Sequence, residues 1–165
     1  MVTLTPLTPD DFQLVAGWLS DQAINRWLTS EWRGREVSAA VMAMAYRNRR
    51  NRLFLVRYDS HPCGLVGLAD IDEIDRTAMI WYLMGQDQYG GKGVISQAVG
   101  QAVAWGFTNL GLASVYAWIM AGNERSRKVL ERNGFRGAGR LRMATRSADR
   151  QVDRIYFDLV NPAGT

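Results

Sequence analysis

The chain contains one cysteine and one histidine among its 165 residues, and this scarcity excludes several classes of protein. A single thiol cannot form an internal disulfide, so a disulfide-stapled secreted domain is excluded and a reducing cytoplasm is expected. His61 and Cys63 together are too few for a structural zinc site, so we expect no metal centre. The segment from Asp59 to Pro62 is predicted to be a turn between two strands.

Long hydrophobic runs are also missing. No stretch approaches the roughly 18 apolar residues of a membrane-spanning helix. Residues 1–7 lack the cationic start and apolar block of a signal peptide. With 47% apolar residues the chain can nevertheless bury a sizeable core. The sequence therefore predicts a soluble, cytoplasmic protein with a single domain over residues 1–165 and no membrane partner.

The chain has only a small excess of positive charge, because its formal net charge is +4. The dense basic run consists of Arg47, Arg49, Arg50 and Arg52. It lacks the interleaved aromatic residues and the reading helix of a nucleic-acid-binding protein, so a nucleic-acid partner is disfavoured. We expect the run to complement the C-terminal dipole of a helix. Electrostatic steering of an anionic cofactor or substrate stays open.

What the chain does contain is a glycine-rich segment between a strand and a helix. Residues 79–84 are short, β-branched and aromatic, which predicts a buried strand. Apolar residues after Val94 recur at helical spacing. Between them lies Gln-Tyr-Gly-Gly-Lys-Gly, residues 88–93. A strand, a glycine-rich turn and a helix aim backbone N–H groups and a helix dipole at one point, which is a site for an anion such as phosphate.

Two common phosphate-binding loops do not match this segment. A P-loop needs serine or threonine directly after its lysine, and here Gly93 follows Lys92. A dinucleotide-binding fingerprint needs a third glycine where Ser96 stands and an acidic residue about 20 positions further on. The remaining pattern, Gln-x-x-Gly-x-Gly from Gln88 to Gly93, resembles the pyrophosphate-binding turn of the GNAT acetyltransferase superfamily.

A second segment resembles the same superfamily. After a predicted strand at 114–119 comes the pattern N-x-x-S-x-x-V-L-E-x-x-G-F, residues 123–135. Asn123 suits a helix N-cap, and Gly134 suits the position just past the helix end. The pattern is similar to the second cofactor-side motif of GNAT proteins, in particular of the branch that includes the ribosomal-protein alanine acetyltransferases. Both motifs occur in the order of the family, so their conjunction is more specific than either motif alone.

The remaining segments complete an alternating pattern of strands and helices. Further strands are predicted at 2–5, 53–58, 64–70, 136–145 and 152–159. Further helices are predicted from Thr8 onward and over 36–46, the latter with Val37, Val41 and Met44 inward. The order β-α-α-β-β-β-α-β-α-β-β matches the GNAT arrangement. The resemblance implies an α+β (mixed α/β) fold with a mostly antiparallel sheet, splayed between its two central strands and flanked by helices.

The resemblance also implies that acetyl-CoA, or another acyl-CoA, is the co-substrate and that its acyl group moves directly to an amine. Main-chain groups near Leu83 and Met84 would bind the pantetheine and polarise the thioester carbonyl. Main-chain N–H groups of the glycine-rich turn would bind the diphosphate. The implied cofactor-binding residues are Leu83, Met84, Gln88, Tyr89, Gly90, Gly91, Lys92, Gly93, Val94, Asn123, Ser126 and Lys128, with Arg125 as an alternative phosphate contact to Lys128.

The acid and base that many GNAT proteins use are missing. Many members have a tyrosine on the second-motif helix, where this chain has Leu130, and the branch with V-L-E at this point lacks that tyrosine too. Many members also have a glutamate on the central strand, and residues 78–80 offer none. Because the superfamily usually transfers the acyl group without an acyl-enzyme, Cys63 is a poor candidate for a nucleophile.

An acidic cluster before the central strand is the best substitute for the missing base. An amine must lose a proton before it attacks, so we predict that Asp70, Asp72 or Glu73 takes that proton, directly or through a water. A solvated acidic loop is the alternative for each of them. Ser126 is the predicted proton donor to sulfur. The reserve acids are Tyr82, Tyr116 and Tyr156.

Three functions stay open at the level of sequence. Residues 26–28 and Trp32 near the expected acceptor mouth, with an acidic loop opposite, suit a small polar amine such as an amino sugar or amino acid. The N-terminus of a protein is the second hypothesis, because residues 18–24 resemble GNAT members of both kinds. A non-catalytic sensor of a coenzyme A thioester is the third. A homodimer is compatible with each of them.

Overall fold

In the computed structural model, which describes residues 1–164, the chain forms a mixed α/β fold around a seven-stranded sheet. The strands are β1 (Val2–Pro6), β2 (Arg52–Tyr58), β3 (His61–Asp72), β4 (Thr77–Met84), β5 (Ser114–Met120), β6 (Arg136–Ser147) and β7 (Arg150–Val160). Their order in the sheet is β1-β2-β3-β4-β5-β7-β6. Every neighbouring pair is antiparallel except β4 and β5, which are parallel. The predicted mostly antiparallel sheet is confirmed.

Helices cover both faces of this sheet. The α-helices along residues 1–164 are α1 (Phe12–Ser20), α2 (Gln22–Asn25), α3 (Ala39–Arg47), α4 (Val94–Asn109) and α5 (Glu124–Arg132). One buried cluster joins α4 and Leu130 of α5 to one sheet face, and a second joins α1 and α3 to the other. In this part of the chain, no helix combines the length and the apolar character that crossing a membrane requires.

The two central strands of the sheet separate along their length. Strands β4 and β5 pair only at their beginnings, where residues 77–79 lie opposite residues 114–116. Both strands continue beyond that point, to Met84 and Met120. Because neither strand has a partner on the side that faces the other there, main-chain groups along that edge are left open to a ligand. The predicted splay between the central strands is confirmed.

The predicted inward face of α3 is wrong at two of its three positions, since Val37 is buried as expected but Val41 and Met44 are not. Met42 is fully buried, whereas Val41 is 41% exposed and Met44 is 71% exposed. The helix also begins three residues later than position 36, because the side chain of Ser38 caps it by accepting a hydrogen bond from the Val41 N–H. Starting the helix at this cap directs Met42 to the core and turns Val41 and Met44 outward.

The predicted turn before the third strand is too long. Only Asp59 and Ser60 form it, and both have positive φ, at 47° and 71°. Two consecutive left-handed residues are typical of a type I′ turn, which joins antiparallel strands with two residues. His61 and Pro62 are therefore the first residues of β3, and Cys63 beyond them is buried in the core.

Candidate active site

A groove of about 1140 Å³ opens at the carboxyl end of β4. Strand β4 supplies its floor, the glycine-rich turn and the start of α4 form one wall, and α5 forms the opposite wall. The predicted cofactor-binding residues that line it are Leu83, Met84, Tyr89, Gly90, Gly91, Gly93, Val94, Asn123, Ser126 and Lys128. The structure therefore brings together residues from two motifs that are some 30 positions apart in the sequence.

The glycine-rich turn shapes the groove wall through its backbone. Gly91 and Gly93 have φ of +75° and +73°, a region that residues with a Cβ adopt only at a cost. A Cβ built at either position meets no protein atom within 4 Å, so it would extend into open space. Gly93 is the N-cap of the 16-residue helix α4, and no described side chain caps that helix. Its first-turn N–H groups are therefore available to an anion.

Cationic side chains surround the same groove. Arg125, Lys128 and Arg132 line it from α5, and Arg26 lines it from the segment after α2. No salt bridge among residues 1–164 involves any of these four side chains. Unpaired cations beside an uncapped helix N-terminus favour a polyanionic ligand. The sequence placed Arg26 near the expected acceptor mouth and gave no signal for Arg132, which faces the groove only through the tertiary arrangement.

The side chains of two predicted cofactor-binding residues, Gln88 and Lys92, do not line the groove. The Gln88 side-chain amide donates to Gln86 Oε1 at 3.1 Å. Lys92 Nζ lies 5.5 Å from the ring centre of Tyr89 and 5.8 Å from that of Tyr58. The ammonium thus makes cation–π contacts to these rings. A role for Gln88 and Lys92 through their main-chain N–H groups stays a prediction.

A narrow cleft of about 50 Å³ extends from the groove into the space between β4 and β5. Residues that both cavities share include Tyr82, Asn123 and Ser126. The apolar side chains of the narrow cleft include Ile80, Ala117 and Ile119. An elongated ligand bound in the groove would therefore reach an apolar slot between the separated strands.

Tyr82 and Ser126 meet in this cleft. Their hydroxyl oxygens lie 2.7 Å apart, and the Tyr82 hydroxyl also lies 3.2 Å from the Ser126 carbonyl oxygen. The Ser126 N–H donates to the Asn123 side-chain oxygen at 3.2 Å, so Asn123 is the N-cap of α5, as predicted. Burial raises the pKa of Tyr82 to about 12, although the hydrogen bond to Ser126 opposes this shift. The phenol is therefore protonated at neutral pH and can donate a hydrogen bond.

Two of the three predicted base candidates lie away from this pair. Asp72 is opposite Thr77 at the start of β4, at the other end of that strand from the groove. Its Oδ1 accepts hydrogen bonds from the N–H groups of Ile74 and Asp75, both at 2.8 Å, and so forms a turn. Glu73 lies exposed in the same turn. Neither residue lines the groove or the narrow cleft.

Asp70 lies at a break in the strand register and faces different neighbours. The pairing of β3 with β4 shifts between Ala69 and Asp72, and Asp70 has φ of +50°. Burial, and then the Asp70 charge, raises the pKa of both Glu31 and Tyr116. Asp70 therefore lies close enough to Glu31 and Tyr116 to act on both, although it does not line the narrow cleft. Glu31 is not among the residues predicted from the sequence, where its signal is its position directly before Trp32.

The cysteine has no features of a nucleophile. Cys63 is fully buried, and its thiol donates to the Val56 carbonyl oxygen at 3.5 Å. Burial raises the pKa of this thiol, which disfavours the reactive thiolate. Over residues 1–164, no group of three or more histidine, cysteine or acidic side chains could hold a metal ion.

Residues 1–136 match the protein-family model for the acetyltransferase (GNAT) domain. Since this match spans most of the chain, the protein belongs to the GNAT acetyltransferase family. It is an acyltransferase of the N-acetyltransferase type, and the family uses acetyl-CoA.

Individual relatives agree with this assignment. The chain is 28% identical over 167 residues to the "Putative ribosomal N-acetyltransferase YdaF" of Bacillus subtilis (strain 168), covering 96% of this chain and 91% of that protein. It is 26% identical over 141 residues to the spermidine N(1)-acetyltransferase of Escherichia coli (strain K12), covering 85% and 75%. The fold is similar to that of the spermidine N-acetyltransferase from Vibrio cholerae in complex with CoA and spermine, with a TM-score of 0.86, 22% identity and coverage of 96% and 95%. The predicted likeness to the ribosomal-protein branch is consistent with the first of these relatives.

Proposed function

We propose that this chain, as one domain over residues 1–165 and in the cytoplasm, transfers an acetyl group from acetyl-CoA to the primary amine of a small polar molecule such as an amino acid or amino sugar. The observation that supports this proposal is that the two cavities adjoin and share lining residues, among them Tyr82, Asn123 and Ser126. A groove built for a polyanion leads, past Tyr82 and Ser126, into an apolar slot between separated strands. Such a path fits a phosphate-bearing ligand with a long, narrow arm.

The residues present fit coenzyme A. The N–H groups of Gly91 to Ser96 and the α5 cations would hold the diphosphate, because this wall of the groove offers donors and positive charge. The open edge of β4 at Leu83 and Met84 would hold the pantetheine amides. When bound, acetyl-CoA supplies the thioester carbonyl that an amine can attack.

The pKa of Tyr82 decides how this residue acts on the sulfur. A pKa of about 12 lies roughly 3.5 units above that of an ordinary thiol, so complete transfer of the phenolic proton would cost about 5 kcal/mol. Tyr82 therefore keeps its proton and stabilises the departing sulfur by donating a hydrogen bond, directly or through the Ser126 hydroxyl. This extends the sequence-based prediction, in which Ser126 was the donor and Tyr82 a reserve acid.

Asp70 is the strongest of the three base candidates. It is the one whose charge acts on side chains of the sheet, whereas Asp72 is committed to a turn. As a carboxylate near Glu31, it also attracts an ammonium group toward this side of the sheet. Asp70 would take the proton from that ammonium, through a water where the distance requires one.

A thiol-release assay with acetyl-CoA and a panel of amines tests the proposal. The panel contains amino acids, amino sugars, spermidine and a ribosomal-protein N-terminal peptide, and mass spectrometry identifies each product. Turnover of a small polar amine with the highest kcat/KM supports the proposal. A higher kcat/KM for the peptide would favour the second hypothesis, for which the likeness to the Bacillus subtilis relative is the supporting observation. Tight acetyl-CoA binding with no turnover of any amine would favour the sensor.

A further inference from the structure

Two arginines meet on the sheet face that bears Trp118. Arg33, between α2 and α3, donates from Nη1 to the buried Thr145 hydroxyl at 2.9 Å and lies 4.0 Å from Met120 Sδ. Arg154 of β7 places its guanidinium carbon 4.1 Å from the ring centre of Trp118. Met120 and Arg154 are direct partners in the β5–β7 pairing, so both arginines lie at the end of β5.

Neither guanidinium has an acidic partner. Among residues 1–164, no salt bridge includes Arg33 or Arg154. The Nε atom of Arg154 is buried and has no hydrogen-bond partner in the same part of the chain. Burial, and then the charge of Arg154, lowers the pKa of Arg33. Two partly desolvated like charges with an unmet donor are costly to maintain unless an anion offsets them.

The contacts within the protein do not use the full capacity of this pair. Each guanidinium has five N–H donors, and of these Arg33 uses one on Thr145. The stacking of Arg154 on Trp118 gives a cation–π contact but satisfies no N–H donor. A purely structural pair would be expected to place these donors on carbonyl or carboxylate oxygens, as Arg140 does with Asp153.

The arginine pair also lies next to the narrow cleft. Trp118 lines the narrow cleft together with Tyr82 and Ser126. Arg154 therefore stacks on a side chain that forms the wall of the cleft. A ligand that places one group against Arg154 and Arg33 would enter the narrow cleft from the sheet face opposite α4.

We propose that Arg33 and Arg154 bind an anionic group of the acceptor, so that the preferred substrate is an amine that also bears a carboxylate or a phosphate. This rests on the proposed function and narrows it to amino acids and phosphorylated amines or amino sugars. A guanidinium presents parallel N–H donors that match the oxygens of either anion. A polyamine, which has only positive groups, would be repelled by the pair. The chain would then differ in specificity from its spermidine-acetylating relatives.

Matched amines test this specificity. Ethanolamine is the parent amine without an anionic group. Serine is ethanolamine with an added carboxylate, and O-phosphoethanolamine is ethanolamine with an added phosphate. Glucosamine and glucosamine 6-phosphate form a second pair, and spermidine represents the polyamines. For wild-type protein we expect at least one anionic member to exceed its parent and spermidine about tenfold or more in kcat/KM. Whether the carboxylate or the phosphate member leads shows which anion the site takes.

Variants assign the preference to the two arginines. Arg33→Gln and Arg154→Gln should lower kcat/KM for the anionic member about tenfold to a hundredfold. The same variants should leave the KM for acetyl-CoA and the rate with the parent amine within about threefold. Arg136→Gln is the matched control, because Arg136 is exposed at one end of the β6–β7 pair, opposite Asp158 and not beside Arg154. Its kinetics should equal those of wild type.

Calorimetry separates a failure of this proposal from a failure of the proposed function. Serine, O-phosphoethanolamine, their parent ethanolamine, and spermidine are titrated into wild-type and Arg154→Gln protein in the presence of coenzyme A. Binding that is weakened in the variant supports the anion site even where no amine is acetylated. The proposal is overturned if parent amines or spermidine match the anionic members in both rate and affinity. It is also overturned if the arginine variants slow all amines equally, since that would indicate a structural role.

Discussion

Replacing Tyr82 by phenylalanine removes one hydroxyl from the narrow cleft and leaves the ring in place. That hydroxyl lies 2.7 Å from the Ser126 hydroxyl and 3.2 Å from the Ser126 carbonyl oxygen. If Tyr82 only packs, the substitution removes neutral hydrogen bonds, which are worth roughly 1 kcal/mol of folding stability each. If Tyr82 donates a hydrogen bond to the departing sulfur, the substitution lowers the reaction rate.

The size of the rate effect distinguishes the two roles. A preorganised hydrogen-bond donor aimed at charge that develops in the transition state contributes about a hundredfold or more to the rate, so kcat of Tyr82→Phe should fall by about that factor. The KM for acetyl-CoA should change little, because the groove walls are untouched. Since the pKa of Tyr82 is about 12, wild-type rates should show no loss from its ionisation up to about pH 10.

A double-mutant cycle shows whether Tyr82 and Ser126 act together. Rates of Tyr82→Phe, Ser126→Ala and the double variant are compared with wild type under saturating acetyl-CoA. If the two hydroxyls form one relay, the double variant should be no slower than the slower single variant. Tyr46→Phe is the matched control, because Tyr46 is 46% exposed on α3 and far from the cleft. A Tyr82→Phe enzyme with kcat within threefold of wild type would refute the proposed role.

Three further predictions concern carboxylates and the thiol. Asp70→Asn should lower kcat about a hundredfold, while Asp72→Asn and Glu73→Gln stay close to wild type; wild-type kcat in Asp70→Asn would remove Asp70 from catalysis. Cys63→Ala should keep wild-type kcat, and thiol reagents should label Cys63 only on unfolding; rapid inactivation of folded protein would contradict this. Hydrogen bonds from a main-chain N–H and an arginine lower the pKa of Asp153, so its carboxylate stabilises the fold above its unfolded pKa, and this contribution is lost as the pH falls. Urea unfolding should therefore show Asp153→Asn less stable than wild type at pH 7 but not at pH 2, and an equal difference at both would argue against the linkage.

The backbone features of the groove wall could be predicted because they depend on local geometry. The glycines of residues 88–93 and the N-cap at Asn123 are each determined within a few residues, and the structure places them as expected. Main-chain binding leaves a recognisable pattern of glycines, since it needs positive φ and open space. Side-chain contacts leave no such pattern in the sequence. This is why the sequence did not show that Gln88 and Lys92 lie outside the groove lining.

The polar contacts of the narrow cleft and of the arginine pair could not be predicted because the residues that make them are distant in the sequence. Tyr82 and Ser126 are 44 residues apart, and Arg33 and Thr145 are 112 apart. Their meeting depends on strand register and on the packing of loops, which hydrophobic periodicity does not report. The prediction of the inward face of α3 failed for a related reason. Alanine, valine and methionine occur around the whole helix, so its apolar stripe is poorly defined.

The central claim, that the turn before α4 holds the diphosphate of coenzyme A, is tested most directly by calorimetry of coenzyme A with a pair of glycine variants. Gly93→Val places a side chain in the open space of the groove wall at a φ of +73°. Gly111→Val imposes similar backbone strain, at a φ of +62° and with equally open surroundings, but lies in the loop between α4 and β5, outside the groove. With both variants shown to be folded by circular dichroism, we predict that Gly93→Val loses coenzyme A affinity about a hundredfold or more, whereas Gly111→Val retains it. Wild-type affinity in folded Gly93→Val protein would contradict the account.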